Sequence, residues 1–209
     1  MSEELPDCRY AEEMARPADY EEWAATPVDT RLGLKPSYVP PELVSVQEAG
    51  FTEPYLVRSL LIDDLGALRA AADRAGNPIG VAAAYRSYAS QDSLYRRRIQ
   101  TEGKTVARAK TARPGHSEHQ LGTTLDFKTA EASDVDSSWE AEPAGKWMAA
   151  NAWKYGFVMS YPAGRTPQTC YWYEPWHYRY FGQALADDIH SSGLTLREFL
   201  WQQQEGAPR

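Results

Sequence analysis

The sequence predicts an α+β fold in a single domain, with one antiparallel sheet and helices packed against it. A segment with leucines at helical spacing comes first, and a short apolar run typical of a buried strand follows it. Aromatic-rich, strand-like segments then occupy the last third of the chain. Helices and strands that follow one another without regular alternation favour the α+β class.

The N-terminal part begins with an acidic, irregular stretch. We expect residues 1–27 to form an arm that precedes a domain over residues 28–209. Residues 26–41 are rich in proline and tyrosine, which favours extended or turn-like backbone. A helix is predicted between a start signal at residues 52–54 and a stop at residues 76–78.

The middle of the chain holds two predicted strands and a helix. Ile79–Tyr85 is a short apolar run and Thr123–Phe127 has a strand-forming composition, while Ser90–Gln100 is typical of a charged helix. Residues 103–122 show no periodicity. The acidic residues 131–142 predict a solvated loop, although a position between the two metal motifs described below could also bring them to the edge of a cleft.

The C-terminal part contains both predicted helices and predicted strands. Pro143–Tyr155 predicts a helix that Gly156 would end, and the aromatic-rich segments Phe157–Tyr161 and Tyr171–Tyr180 predict strands. Two short helices are predicted over residues 182–191 and 195–203.

Composition and charge exclude several classes of protein. Of 209 residues, 43% are hydrophobic and 24% are charged, which excludes a disordered chain. Against 29 Asp and Glu there are only 22 Lys and Arg, and this net charge of −7 makes a nucleic-acid partner a poor candidate. No apolar run approaches the roughly 20 residues of a transmembrane helix.

The two cysteines, Cys8 and Cys170, are too few for a cysteine-based zinc cluster. Two free thiols and one disulfide bond are both compatible with the sequence. The first residues, MSEELPDC, lack the basic start and apolar run of a secretion signal. A cytoplasmic protein and an exported chain without its leader are both compatible with that start.

Three of the four histidines fall in two short segments that also carry carboxylates. A catalytic zinc takes three ligands from His, Asp or Glu and leaves one position open. His119, Asp126 and His177 could be these ligands. A separate carboxylate must then move the proton of the attacking water, and Glu174 is close enough along the chain to do so.

Each of these patterns has an ordinary structural alternative. His119 could hydrogen-bond within a loop, Asp126 could cap a turn, and His177 could pack among aromatic neighbours. Arg86, which follows the predicted strand, could reach into a cleft and polarise a carbonyl, or it could form a surface salt bridge.

Three motifs, taken in order, resemble the zinc D,D-carboxypeptidases of the VanY type. This peptidase group also includes L,D-carboxypeptidases and VanX-type dipeptidases. The motifs are Tyr-Arg-Ser at residues 85–87, Ser-x-His-x-x-Gly-x-x-x-Asp at residues 117–126 and Glu-x-x-His at residues 174–177. The resemblance covers roughly residues 27–186. One departure is Thr124, where the family commonly has alanine.

The resemblance implies the fold of these peptidases, which the hedgehog signalling domain shares: an antiparallel sheet with a zinc cleft and flanking helices. It implies one Zn²⁺ per chain, held by His119, Asp126 and His177. The implied activity is removal of the terminal D-Ala from peptidoglycan stem peptides that end in D-Ala-D-Ala, by a water that the zinc activates.

The resemblance also assigns roles to residues around the metal. Glu174 would act as general base and then general acid, and Arg86 would orient the scissile carbonyl or stabilise the oxyanion. Ser117 and Gln91 match family positions that contact the C-terminal end of the substrate.

Two other functions stay open at this point. One is an L,D-carboxypeptidase that acts on tetrapeptide stems. The other is a non-catalytic zinc-bearing binding module, against which Glu174 argues because a module has no need of a base. The implied substrate predicts a protein that is exported or associated with the cell envelope, and export would permit a Cys8–Cys170 bridge. We also expect a monomer.

Overall fold

A four-stranded antiparallel sheet forms the centre of the fold, which confirms the predicted α+β class. The computed structural model describes residues 5–11, 13–14 and 23–206. The strands in these residues are β1 (Glu13–Met14), β2 (Leu32–Gly33), β3 (Leu43–Ser45), β4 (Leu56–Arg58), β5 (Ile79–Ala83), β6 (Thr124–Thr129), β7 (Phe157–Met159) and β8 (His177–Tyr180). The α-helices are α1 (Ile62–Arg74), α2 (Tyr88–Glu102), α3 (Lys104–Lys110), α4 (Pro143–Asn151), α5 (Thr166–Thr169), α6 (Gln183–Ser192) and α7 (Leu196–Gly206).

The order of strands in the central sheet is β5-β6-β8-β7. All its pairs are antiparallel, and the last strand in sequence, β8, lies between β6 and β7. This arrangement places Asp126 on β6 directly opposite His177 on β8. Two residues that are far apart in sequence therefore meet on neighbouring strands.

The apolar face of the sheet and helix α1 form the main core. Leu65 and Leu68 of α1 and Leu125 and Phe127 of β6 are fully buried in one cluster. The ring of Phe127 also makes an edge-on contact with Tyr178 on β8. Burying each such side chain stabilises the fold by roughly 1.5–3 kcal/mol. This core fixes β6 and β8, and with them the residues of the site.

The predicted helix begins later than its start signal. Helix α1 begins at Ile62, whereas β4 follows directly after residues 52–54 and pairs with β3 in a second, two-stranded sheet. The antiparallel pairing of Val44 with Val57 shows that this segment is a strand. The predicted start of the helix was wrong because a Thr-Glu-Pro sequence is also compatible with a loop before a strand.

Two other predictions need correction. Residues 103–122 include helix α3, although their sequence shows no periodicity. The strand predicted over Tyr171–Tyr180 is formed only by its last four residues, β8. Pro175 has no N–H to donate to a ladder, and the segment before β8 leaves the sheet.

The remaining predicted elements are confirmed with small shifts at their ends. These elements are the strands β5, β6 and β7 and the helices α2, α4, α6 and α7. The predicted helix over residues 143–155 is α4 continued by a 3₁₀ turn at Ala152–Tyr155. No helix in the described part of the chain is long and apolar enough to cross a membrane.

The N-terminal residues are tied to the rest of the chain at several points. A disulfide bond joins Cys8 to Cys170, and the guanidinium groups of Arg108 and Arg113 lie 4.8 and 4.5 Å from the centre of the Tyr10 ring. Residues 1–4, 12 and 15–22 of the predicted arm lie outside the described residues, and the division at residue 27 stays a prediction.

Candidate metal centre

Three elements position the side chains of the predicted metal site. Asp126 lies on β6 and His177 opens β8, while His119 lies on a 3₁₀ turn, Glu118–Leu121, just before β6. That turn ends at Gly122, whose φ of 73° favours glycine. A Cβ atom at Gly122 would also lie 2.9 Å from Pro40 Cγ. The tight turn that brings His119 beside β6 therefore requires glycine.

The structure brings the three predicted ligands together. His119 Nε2 lies 3.3 Å from Asp126 Oδ2, and His177 Nδ1 lies 3.1 Å from Asp126 Oδ1. One ligand atom from each residue lies within 4.8 Å of the other two. Two imidazoles and one carboxylate are a donor set typical of catalytic zinc, with a fourth position left for substrate or water.

The second ring nitrogen of each histidine ligand contacts a hydrogen-bond acceptor on the side away from the metal site. His119 Nδ1 lies 2.8 Å from the carbonyl oxygen of Ala84, which can only accept, so Nδ1 donates and Nε2 faces the site. His177 Nε2 lies 3.0 Å from Oε2 of Glu118, so its Nδ1 faces the site. Histidine ligands of metals are usually oriented by such carbonyl and carboxylate acceptors, so these residues fit a metal.

The charges around the site favour a cation between these side chains. Burial opposes ionisation of Asp126, but His119 and His177 outweigh it and lower its pKa. Burial also lowers the pKa of His119. For His177, hydrogen bonds to Asp126 and Glu118 overcome burial and raise the pKa to about 10. A metal cation would therefore displace a proton from His177 when it binds.

Glu174 lies at the same site on the segment that precedes β8. Its Oε2 atom is 3.5 Å from His177 Nδ1. Burial, reinforced by the negative charge of Asp126, raises the pKa of Glu174 to about 7. A carboxyl group with a pKa near neutral can both accept and return a proton, as a general base that later acts as an acid must do.

Arg86 brings a positive charge to the same cleft. Its backbone N–H donates to the carbonyl oxygen of His119 at 3.2 Å, which ties the end of β5 to the ligand-bearing turn. Burial lowers the pKa of Arg86, while the charges of Asp126 and Glu174 oppose that shift. The guanidinium thus faces the site's carboxylates rather than forming a surface salt bridge.

A cleft of about 560 Å³ opens above the metal site, and both predicted substrate-contacting residues line it. Ser117 and Gln91 are buried in its wall. The Nε2 atom of Gln91 donates to the carbonyl oxygen of Ala112 at 2.6 Å, so Gln91 also anchors the loop before Ser117. Its Oε1 atom is buried and has no hydrogen-bond partner among the described residues.

The acidic segment expected as a solvated loop also borders this cleft. Its residues 134–137 line the cleft. The following 3₁₀ turn, Ser137–Ala141, is anchored by Trp139, which is 2% exposed and donates from its indole nitrogen to Thr129 Oγ1 at 3.2 Å. Most of residues 131–142 are exposed, as expected of a solvated loop, but Trp139 points inward, which the sequence does not indicate.

Sequence reasoning missed two charged residues behind the site, Glu118 and Arg179. Both are almost completely buried, and Arg179 Nη1 donates to Glu118 Oε1 at 3.2 Å. Burial opposes ionisation of Glu118, but His177 and Arg179 lower its pKa to about 2. Their positions in the sequence could have indicated this role. Glu118 adjoins His119, and Arg179 follows His177 by two residues, which places both side chains on the same side of β8.

Comparisons with known proteins identify the family of this chain. The family model VanY, D-alanyl-D-alanine carboxypeptidase, matches residues 55–183. The Bacillus subtilis (strain 168) protein YodJ is 33% identical over 177 residues, which cover 82% of this chain and 65% of YodJ. This chain therefore spans less than two thirds of that relative.

Solved structures share the fold. The LdcB LD-carboxypeptidase has a TM-score of 0.75 and 30% identity, covering 84% of each chain. The VanY D,D-pentapeptidase in complex with Zn(II) has a TM-score of 0.72 and 28% identity, covering 86% of this chain and 99% of the other. A complex of VanYB with D-alanine-D-alanine aligns with the same TM-score of 0.72. The chain belongs to the VanY family of D-alanyl-D-alanine carboxypeptidases.

Proposed function

We propose that this chain is a zinc metallopeptidase that removes the terminal D-Ala from peptidoglycan stem pentapeptides ending in D-Ala-D-Ala. The observation that carries the proposal is the convergence of two histidines and an aspartate with a carboxyl group, Glu174, and a guanidinium, Arg86, in one cleft. One Zn²⁺ per chain would be held by His119, Asp126 and His177. When bound, it supplies Lewis-acid polarisation of a carbonyl and lowers the pKa of water.

The chain's own residues would carry the proton and the developing charge. Glu174 takes a proton from the attacking water and returns it to the amine of the departing D-Ala, and its pKa of about 7 suits both steps. Arg86 donates to the oxygen of the scissile carbonyl as negative charge develops on it. Ser117 and Gln91, in the wall of the cleft, would contact the C-terminal end of the substrate.

The comparisons support the D,D specificity and also favour a second candidate. The family model and the VanYB complex with D-alanine-D-alanine support cleavage between two D-alanines. The resemblance to the LdcB LD-carboxypeptidase favours an L,D-carboxypeptidase acting on tetrapeptide stems. The position of Glu174 beside His177, with a raised pKa, argues against a non-catalytic binding module, because binding alone does not need a carboxyl group that exchanges a proton near neutral pH.

The proposed substrate lies outside the cytoplasmic membrane, so we propose that the protein is exported or envelope-associated. We also propose that it works as a monomer. The disulfide bond between Cys8 and Cys170 supports this location, because such bonds persist mainly in oxidising compartments.

D-Ala release from two peptides tests the specificity. A pentapeptide stem ending in D-Ala-D-Ala and a tetrapeptide stem ending in L-Lys-D-Ala would be incubated with the zinc-loaded protein, with the His177→Ala variant as control. Release from the pentapeptide alone is the expected result. Release from the tetrapeptide alone would overturn the D,D assignment in favour of L,D, and release from neither would overturn the carboxypeptidase proposal.

A further inference from the structure

A buried carboxylate stands directly behind one of the proposed ligands. Glu118 is 3% exposed, and its Oε2 atom lies 3.0 Å from His177 Nε2. The same oxygen accepts a hydrogen bond from Ser160 Oγ at 2.6 Å. Glu118 thus contacts the imidazole on the side opposite to the metal site.

A buried arginine holds this carboxylate in place. Arg179 is fully buried, and its Nη1 atom donates to Glu118 Oε1 at 3.2 Å. Its Nη2 atom donates to the carbonyl oxygens of Trp23 and Thr26, at 2.9 and 2.8 Å. Both oxygens of Glu118 are therefore occupied, and the carboxylate cannot rotate without losing a charged contact.

Such a pair adds little to stability by packing alone. Desolvating two charges costs free energy that their attraction often only just offsets. Replacing a buried ion pair by apolar residues of similar volume therefore often leaves the stability of the fold unchanged or raises it. A paired carboxylate on the outer nitrogen of a histidine ligand, by contrast, fixes the tautomer and orientation of the ring and raises its basicity. The location of the pair therefore indicates a role at the metal site.

We propose that Glu118 is a positioning residue that holds His177 with Nδ1 toward the metal, and that Arg179 holds Glu118 in turn. This inference rests on the proposed zinc site. Removing the charge of Glu118 while preserving its shape should weaken zinc binding by about 10–100-fold, because the ring keeps its place but loses its fixed tautomer and part of its basicity.

Zinc affinity of the full chain, measured by competition with a chromophoric chelator, tests the proposal. Glu118→Gln is compared with Asp29→Asn, which removes the carboxylate of a second buried pair, with Arg197, outside the metal site. Both substitutions leave a buried arginine unpaired, so both should destabilise the fold. Only Glu118→Gln should weaken zinc binding and shift the absorption bands of the Co²⁺-substituted protein.

The possible outcomes separate this inference from the proposed function. No zinc binding by the wild-type chain would overturn both. Zinc binding by the wild type with equal affinity in Glu118→Gln, or an equal loss in both variants, would overturn only the positioning role.

A measurement on the wild-type protein does not depend on the folding of any variant. Nitrogen-15 NMR of the zinc-loaded chain should show the proton of His177 on Nε2. A proton on Nδ1, with Nε2 bound to the metal, would overturn the proposal.

Discussion

Asp126 and His177 are direct partners across β6 and β8, with Asp126 Oδ1 3.1 Å from His177 Nδ1. A rigid pair of strands therefore fixes two of the three proposed ligands, and the apolar face of the same strands packs into the main core. A shift of the register by one residue would turn one of the two side chains to the opposite face. The proposed metal site and the core thus depend on the same pairing of strands.

Replacing Glu174 by glutamine should strongly reduce turnover without removing zinc. Glutamine preserves the shape of the side chain but cannot accept the proton of the attacking water, and general bases contribute roughly 10²–10⁴-fold to rate. We expect kcat to fall by at least about 10²-fold while zinc content stays at one ion per chain. D-Ala release and metal analysis of the same sample check this. A kcat near that of the wild type would show that Glu174 is not the base.

Replacing Arg86 by alanine should lower kcat by roughly 10²–10³-fold, the usual cost of losing one oxyanion donor. Arg98→Ala is the matched control, because Arg98 lines the same cleft but pairs with Glu102 on its own helix. We expect the control to keep kcat near the wild-type value. An equal effect of both substitutions would indicate that Arg86 contributes only general positive charge.

The raised pKa of Glu174 predicts a pH-dependent cost in stability for the metal-free protein. The folded state keeps this proton up to about pH 7, whereas a glutamate in the unfolded chain has its ordinary pKa of 4.5. The folded state therefore binds more protons between these values, and its stability falls as the pH rises through them. Glu174→Gln should remove that fall and raise the free energy of unfolding at pH 8 by about 1–3 kcal/mol.

Urea unfolding in the presence of a chelator at pH 4 and pH 8 measures this difference. Glu131→Gln, which makes the same substitution at an exposed position, serves as the control and should keep the pH dependence of the wild type, because Glu174 is unchanged in it. A Glu174→Gln protein that is no more stable than the wild type at pH 8 would contradict the shifted pKa.

The disulfide bond should contribute substantially to stability, because it joins residues 162 positions apart and so restricts the unfolded chain strongly. Replacing both Cys8 and Cys170 by serine should lower the free energy of unfolding by about 2–5 kcal/mol. Urea unfolding of this variant and of the wild type with and without reductant measures the effect. The reduced wild type should match the double variant, and an unchanged midpoint would contradict the prediction.

The sequence was sufficient to predict the proposed ligands because their signals are local. His119 and Asp126 belong to one short motif, and His177 and Glu174 to another, so the side chains could be named without knowledge of the topology. The fold class was also predictable from the patterns of α1 and the central strands. What brings the motifs together, the pairing of β6 with β8, is a long-range contact that no local pattern encodes.

Long-range contacts also explain why three other features were not predicted from the sequence. The contact between Glu118 and Arg179 joins residues 61 positions apart. Trp139 anchors the acidic segment from within, and nothing in the neighbouring acidic and serine residues indicates that it is buried. The late start of α1 depends on the pairing of β4 with β3, which outweighs the local start signal.

Zinc-dependent release of D-Ala from a pentapeptide stem is the decisive measurement for the proposed zinc peptidase activity. The protein would be stripped with a chelator, dialysed and titrated with Zn²⁺, with His119→Ala treated in parallel. We expect no release from the stripped protein, full recovery at one zinc per chain, and no recovery in the variant. Release from the stripped protein at the full rate, or recovery in the variant equal to the wild type, would contradict it.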